Sequence, residues 1–311
     1  MPGNMMRAAR FHEYGPPENL VIEEVPRPEP QAGEVLVRVH AAGVNPVDWK
    51  IRRGYLKDFM PVPLPFTPGL DLAGTVAAVG PDVTTVQPGQ AVFGRGSGAY
   101  AEYAIAPANA LAPKPHALSF DQAATIPVGA STAWAGIFDV GGLQTGQRLL
   151  VHGAAGGVGL YAVQFGRWTG AEVIGTASTG NVEFVRSLGA QTVIDYTATP
   201  FESVVRDVDV VLDPIGGETQ ERSWQVLTPG GILVAVASAV SEETARRHGV
   251  RTSGVRGQPT TDLLRRIADL IESGAVVAPV GRVFSLAEAS QAQALSETGH
   301  GQGRIILHIA D

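Results

Sequence analysis

Hydrophobic and polar residues alternate in several short stretches of the first third of the chain. The clearest is residues 34–40, where valine occupies every second position. A period of two is typical of a β-strand with one buried face, and proline excludes regular structure between such stretches. We therefore predict an all-β unit. Similar strands are predicted at residues 21–25, 74–79 and 91–93, and the interrupting prolines are Pro61, Pro63, Pro65 and Pro68.

The pattern changes at about residue 123. From there, short apolar runs alternate with segments of helical length, an order that is typical of parallel strands joined by helices. This alternation predicts an α/β fold with a doubly wound parallel sheet. The predicted strands are residues 148–151, 172–176, 192–195, 208–212 and 231–236, and the predicted helices are residues 157–169, 181–188 and 218–227.

The end of the chain returns to short strands, with one helical segment at residues 286–295 and a last strand at residues 304–309. A length of 311 residues suits two domains. We predict that residues 1–122 and 274–311 form one β-rich domain and that residues 123–273 form the α/β domain.

Composition and charge restrict the possible partners. The chain has 23 Lys and Arg against 30 Asp and Glu, and a net charge of −7 disfavours nucleic acid and anionic membranes. It has no cysteine, which excludes disulfides, thiolate zinc sites and iron–sulfur clusters. The longest strongly apolar run, residues 231–240, is half of the roughly 20 residues that a membrane span requires, and residues 1–15 contain no signal-peptide core. We expect a cytoplasmic protein that acts on a small molecule.

A glycine-rich turn at residues 149–159, with the sequence LLVHGAAGGVG, is the strongest chemical signal. It follows an apolar strand and precedes a helix, and its glycines have the spacing of a dinucleotide-binding turn. Without Cβ atoms there, backbone N–H groups and the helix N-terminus can approach a pyrophosphate. We predict that the cofactor is bound by Gly153, Gly156, Gly157, Val158 and Gly159.

The end of the second predicted strand indicates which dinucleotide is bound. NAD enzymes usually place Asp or Glu there to accept hydrogen bonds from the ribose 2′-hydroxyl. Residues 175–181 contain no carboxylate, whereas Ser178, Thr179 and Asn181 can donate hydrogen bonds to a 2′-phosphate. The segment favours NADPH, although it has no Arg or Lys. The alternative is that these side chains only cap a helix.

Five separated motifs resemble the zinc-independent, zeta-crystallin-like quinone oxidoreductases of the medium-chain dehydrogenase/reductase superfamily. They appear in the order of that family and extend over nearly the whole chain. The motifs are RAARFHEYG at residues 7–15, AAGVNPVDWKIRRG at 41–54, PGLDLAGTV at 68–76, HGAAGGVG at 152–159 and GRIIL at 303–307.

The resemblance implies a GroES-like catalytic domain, a Rossmann domain, a nucleotide in the cleft between them and a homodimer. Asn45 stands where zinc-dependent relatives have a cysteine, so no metal site is expected. By similarity, Asn45 and Thr132 lie near the nicotinamide end of the cofactor, and Tyr196 flanks the adenosine 2′-phosphate. Asn181 occupies a position where relatives often have lysine. Two further contacts, Ile215 and Ser238, are predicted because they follow strands at the edge of the sheet that receives ligands.

The reaction implied is hydride transfer from NADPH to a quinone or an α,β-unsaturated carbonyl compound. Candidate catalytic groups are Asn45, Lys50 and Tyr55, of which Lys50 and Tyr55 could protonate an enolate. A solvated lysine and a packing tyrosine are the alternatives. Two other functions also fit the resemblance, namely an enoyl-thioester reductase of a biosynthetic pathway and an NADPH-binding sensor or structural protein with vestigial catalysis.

Overall fold

The computed structural model describes residues 4–310, which form two compact units. The first unit extends to Val128 and resumes at Pro259. Its N-terminal part contains seven strands and two short helices. They are β1 (Met5–Arg10), β2 (Val21–Pro26), β3 (Glu34–Val44), α1 (Pro46–Arg52), β4 (Asp71–Val79), β5 (Ala91–Arg95), β6 (Tyr103–Pro107), β7 (Leu111–Pro113) and α2 (Phe120–Ala123).

The second unit, Gly129–Gln258, contains the alternating elements. A helix that begins at the boundary continues as a π-helical turn, Ala135–Val140, before the first parallel strand. The elements are α3 (Pro127–Trp134), β8 (Arg148–Val151), α4 (Gly159–Trp168), β9 (Glu172–Ala177), α5 (Val182–Ser187), β10 (Thr192–Asp195), β11 (Val208–Asp213), α6 (Glu218–Ser223), β12 (Leu227–Ala235), α7 (Glu242–Arg247) and β13 (Arg251–Gly254).

The chain then returns to the first unit through two helices and two strands. They are α8 (Thr261–Glu272), β14 (Val280–Ser285), α9 (Ala289–Glu297) and β15 (Arg304–His308). Among residues 4–310, no helix is long and apolar enough to cross a membrane.

The sheet of the first unit has the order β14-β15-β3-β4-β5-β7, and β6 also pairs with β3. The alternating valines predicted as a strand lie in β3, where Val35, Val37 and Val39 are fully buried. Burial of such a side chain stabilises the fold by about 1.5–3 kcal/mol. The predicted β-rich domain is confirmed, and β3 is its central strand.

The sheet of the second unit is entirely parallel, in the order β10-β9-β8-β11-β12-β13. Its core contains Leu150, Val211 and Leu233 from adjacent strands. This order, with the first strand in the middle, is that of a Rossmann sheet, so the predicted doubly wound fold is confirmed. The helix predicted at residues 218–227 is shorter than expected, because Leu227 already pairs with Val208 in the sheet.

The boundaries between the units differ from the predicted ones. We predicted that residues 261–272 belong to the α/β domain, but α8 lies in the first unit. The Thr261 hydroxyl donates a hydrogen bond to the Leu111 carbonyl in β7, at 2.7 Å. Leu264 and Ile267 form its buried face. Helical periodicity shows that a helix has a buried face but does not show which sheet covers it.

Candidate active site

The turn between β8 and α4 has the tight geometry that its glycines predict. Gly153 has φ of +54°, in the left-handed region. A Cβ on Gly159 would lie only 2.3 Å from the Gly153 carbonyl oxygen, so neither position readily accepts a larger residue. The spacing of the glycines therefore has a steric cause, the close passage of the helix start over the preceding turn.

His152, the residue before Gly153, connects the start of this turn to β9 and α6. Its Nδ1 is 3.1 Å from the Thr176 hydroxyl and its Nε2 is 2.9 Å from the Ser223 hydroxyl. Burial lowers the pKa of His152 to about 3, and the Arg222 charge adds to the effect. A neutral imidazole with both nitrogens occupied is a structural element, not a metal ligand.

The N-terminus of α4 has donors for an anion. No described residue accepts a hydrogen bond from the amide N–H groups of Gly157 and Val158, which directly precede the helix. Unpaired amides at a helix start, together with the helix dipole, form a ready site for a phosphate group. The residues present thus fit the pyrophosphate of a dinucleotide.

Two predicted contacts lie near this turn on the same edge of the sheet. The Ile215 side chain is adjacent to Gly153, where an added Cβ would be 3.0 Å from its Cδ1. Asp213 at the end of β11 accepts hydrogen bonds from the amides of Ile215 and Gly216, both at 2.9 Å. The Ser238 side chain lies against Gly216 in turn.

Thr132 is buried in α3 and lies in the same unit. One turn earlier in that helix, Gly129 approaches Gly157 so closely that a Cβ would be 2.6 Å from the Gly157 carbonyl oxygen. Gly257 packs against the backbone of Thr132 in the same way. The helix is therefore held directly beside the glycine-rich turn.

The loop after β9 forms a second cluster. Ser178 precedes a 3₁₀ turn at Thr179–Asn181. The side-chain amide of Asn181, through Nδ2, donates a hydrogen bond to the Ser178 hydroxyl at 3.2 Å. Tyr196 is half exposed, and its backbone N–H bonds to the Ala177 carbonyl at 3.1 Å. The predicted 2′-phosphate residues are thus neighbours on one surface.

In the first unit, the sheet register brings together three polar residues that are far apart in sequence. Asn45 directly follows β3, Asp71 begins β4 and Arg304 begins β15, and these three strands are adjacent. Asn45 Nδ2 donates to Asp71 Oδ2 at 2.9 Å, and its Oδ1 accepts from Arg304 Nη2 at 2.9 Å. Arg304 Nη2 also bonds to Asp71 Oδ2 at 2.6 Å. The Asn45 amide is therefore fixed in orientation by an ion pair.

Asp71 and Arg304 were not among the site residues predicted from the sequence. Both are almost completely buried, and Asp71 Oδ1 also accepts a hydrogen bond from the Val128 amide at 2.8 Å. Burial raises the pKa of Asp71, whereas the Arg304 charge opposes the rise. The signals available were their positions in the PGLD and GRIIL motifs, but neither motif shows that the two side chains meet.

Asp48 extends this network towards Tyr100. Its Oδ2 accepts hydrogen bonds from the Asn45 backbone N–H at 2.8 Å and from the Tyr100 hydroxyl at 3.0 Å. Burial raises the pKa of Asp48 to about 7, and the Asp71 charge adds to the rise. Burial also raises the pKa of Tyr100. Asp48 thus stabilises the start of α1 and holds the backbone of Asn45.

Lys50 and Tyr55 lie apart from that network. The Lys50 ammonium is 5.7 Å from the centre of the Trp49 ring, and the Tyr55 and Trp49 rings pack nearly perpendicular to each other with their centres 6.1 Å apart. Tyr55 is 65% exposed. The structure therefore brings Lys50 and Tyr55 together around Trp49, and Asn45 occupies a separate, buried position.

Comparisons with known proteins identify the family. The chain matches family models for an alcohol dehydrogenase GroES-like domain at residues 31–116 and for a zinc-binding dehydrogenase at residues 188–307. It is 33% identical to the quinone oxidoreductase of Mus musculus, over 96% of both chains. The chain belongs to the zinc-independent quinone oxidoreductase branch of the medium-chain dehydrogenase/reductase superfamily.

Further relatives agree with this assignment. The chain is 34% identical to the chloroplastic NADPH-dependent alkenal/one oxidoreductase of Arabidopsis thaliana, over 97% of this chain and 79% of that protein. The solved structure of the quinone oxidoreductase from Coxiella burnetii has a TM-score of 0.90 and 32% identity, and the match covers 98% of this chain and 99% of that one. The family resemblance predicted from sequence is confirmed, and the protein is an NAD(P)-dependent oxidoreductase.

One matching model is named for zinc, but this member of the superfamily has no cysteine. Within residues 4–310, no group of three His, Asp or Glu side chains is placed to hold a metal ion. At Asn45, the neighbouring positive charge is the guanidinium of Arg304.

Proposed function

We propose that the protein is an NADPH-dependent reductase that transfers hydride to quinones or α,β-unsaturated carbonyl compounds. The main support is the turn at residues 153–159, where the amides of Gly157 and Val158 can bind a pyrophosphate at the start of α4. The names of the mouse and Arabidopsis relatives, a quinone oxidoreductase and an alkenal/one oxidoreductase, support the substrate class.

The chemistry of these substrates suits the residues present. In a quinone or an enone, the carbonyl group already withdraws electrons from the carbon that receives hydride, so the substrate needs no Lewis acid. When bound, the nicotinamide supplies the hydride. The protein must hold the acceptor about 3–3.5 Å from it, exclude water and place fixed donors at the developing oxyanion.

In the second unit, each cluster has a proposed role. The amides around Gly156 bind the pyrophosphate, and Thr132 contacts the nicotinamide or its ribose. Ile215 and Ser238 make lesser contacts at the same edge of the sheet. The residues proposed to contact the adenosine 2′-phosphate are Ser178, Thr179, Asn181 and Tyr196.

In the first unit, Asn45 is proposed to face the nicotinamide and substrate. One of its two amide hydrogens bonds to Asp71, which leaves the other for a substrate oxygen. Because Asp71 and Arg304 fix the amide, little reorganisation is needed when negative charge develops on that oxygen. Lys50 and Tyr55 are proposed proton donors for an enolate, whereas hydroquinone oxygens can take protons from water.

The test is loss of reduced-nicotinamide absorbance with purified protein and a metal chelator. NADPH and NADH are compared with a small quinone, an enone and an enoyl thioester as acceptors. We expect turnover of quinone or enone, faster with NADPH and unchanged by the chelator. Thioester activity far above the others would favour the enoyl-thioester reductase. Cofactor binding without turnover would favour the vestigial sensor or structural protein.

A homodimer and a cytoplasmic location stay predictions. The homodimer is expected from the family resemblance, and sedimentation in dilute solution tests it directly. A sedimentation coefficient that corresponds to a single 32.5 kDa chain at all concentrations would contradict it.

A further inference from the structure

A carboxylate from the neighbouring strand lies against the loop proposed to bind the 2′-phosphate. Asp195, the last residue of β10, pairs in register with Ala177, the last residue of β9. Its Oδ2 accepts a hydrogen bond from the Thr179 hydroxyl at 2.6 Å. Because a hydroxyl has a single hydrogen, Thr179 has none left to donate to a phosphate while this bond exists.

Asp195 is itself held in the charged form. Its Oδ1 accepts hydrogen bonds from the Thr197 amide at 2.9 Å and from the Thr197 hydroxyl at 2.6 Å. The hydrogen bond from Thr179, followed by those from Thr197, lowers the pKa of Asp195. No Lys or Arg at residues 175–181 offsets this charge within the loop.

We propose that Asp195 is a specificity-determining residue that weakens the preference for NADPH over NADH. It does so by repelling the 2′-phosphate and by occupying the hydroxyl of Thr179. This inference rests on the proposed function, since it concerns the same cofactor site. It places a carboxylate that discriminates between the two cofactors on the third strand, whereas NAD enzymes usually have Asp or Glu at the end of the second strand.

The geometry sets the size of the effect. If Thr179 turned its hydroxyl to a phosphate oxygen at about 2.8 Å, that oxygen would still lie at most about 5.4 Å from Asp195 Oδ2, because Thr179 Oγ1 is 2.6 Å from Oδ2. At that distance in water, a carboxylate and a phosphate of charge near −2 repel each other enough to lower affinity about tenfold.

The test uses two ligands that differ only at the 2′ position, adenosine 2′,5′-bisphosphate and adenosine 5′-monophosphate. Their dissociation constants are measured by isothermal titration calorimetry, so the readout does not depend on turnover. Asp195→Asn keeps the side-chain shape, and its amide can still donate to or accept from the neighbouring threonines. We expect about tenfold tighter binding of the bisphosphate and less than twofold change for the monophosphate.

Glu172→Gln is the matched control, because Glu172 begins the same strand β9 and pairs with Arg148 away from the loop. It removes the same charge and should change neither dissociation constant by more than twofold. Adding Thr179→Val to Asp195→Asn should remove part of the gain, because it deletes the released hydroxyl. High salt should reduce the gain as well.

The outcomes separate this inference from the proposed function. If wild-type protein binds NADPH but Asp195→Asn leaves the bisphosphate affinity unchanged, the role of Asp195 is wrong and the proposed function stands. Equal gains for both ligands, or an equal gain from Glu172→Gln, would also overturn the inference. If neither of the two adenosine ligands nor NADPH binds to the wild type or to any variant, both proposals are wrong.

Discussion

Neutralising Asp48 is expected to make the protein more stable at alkaline pH. The pKa of Asp48 is about 7 in the folded protein, against 3.8 for an ordinary aspartate. The folded state therefore binds more protons than the unfolded state between these pH values, and its stability falls as the pH rises through them. A difference of about 3 pKa units corresponds to about 4 kcal/mol, of which about 3 kcal/mol falls between pH 5 and pH 8.

Asp48→Asn removes this proton linkage with little change in shape. The Asn oxygen can accept both hydrogen bonds that Asp48 Oδ2 accepts, from the Asn45 amide and the Tyr100 hydroxyl. At pH 5 the variant should already be more stable than the wild type by about 1.5 kcal/mol, because the aspartate is ionised in the unfolded state there but not in the folded state. At pH 8 the variant should be more stable by about 4 kcal/mol.

Urea denaturation followed by circular dichroism at pH 5 and pH 8 measures both values. Asp58→Asn is the control, because Asp58 lies in the following segment and is exposed to solvent. Its free energy of unfolding should equal that of the wild type at both pH values. Equal pH dependence for Asp48→Asn and wild type would refute the argument that burial keeps Asp48 protonated. Strong destabilisation at both values would instead mean that the charge itself is needed.

Three other changes test the remaining parts of the site. Gly159→Ala should weaken NADPH binding at least tenfold in a fluorescence titration, because the added Cβ would clash with the turn. Gly254→Ala is the control and should not weaken binding, because the nearest atom to its added Cβ lies 4.0 Å away. Arg304→Met should lower the free energy of unfolding by about 3–5 kcal/mol, since it leaves Asp71 buried without its partner charge. Adding Asp71→Asn should recover much of that loss, and a loss below about 1 kcal/mol would contradict the reasoning. The pKa of His152 is lowered to about 3, so the stability that its neutral form contributes is lost as the pH falls from 6.5 towards 3. Between pH 7 and pH 4.5, the free energy of unfolding of His152→Asn, measured by urea denaturation, should therefore fall by about 3 kcal/mol less than that of the wild type.

The sequence was most informative where the physical cause is local. The strand predicted at residues 148–151 coincides with β8, and the one at residues 192–195 coincides with β10. The alternation of strands and helices was enough to predict a parallel sheet, because a parallel strand must be reached through a crossover. The glycine-rich turn was also predictable, since only glycine tolerates positive φ and close backbone contact at low cost.

Contacts between distant residues were not predictable in this way. Asn45 was singled out as a candidate, but its partner Arg304 is 259 positions away and meets it only because β15 pairs with β3. Asp195 was overlooked because the expected carboxylate position is the end of β9. The carboxylate belongs instead to the adjacent strand, whose register brings it to the same loop.

The sequence by itself therefore determined the two kinds of fold, the family and the turn that suits a dinucleotide. The hydrophobic period and the glycine spacing depend on residues that are close together in the sequence, so the sequence alone shows them. Tertiary structure alone decided which unit holds α8, which charges are buried around Asn45 and which carboxylate faces Thr179. Those properties depend on strand register and on desolvation, and both arise only when distant segments pack together.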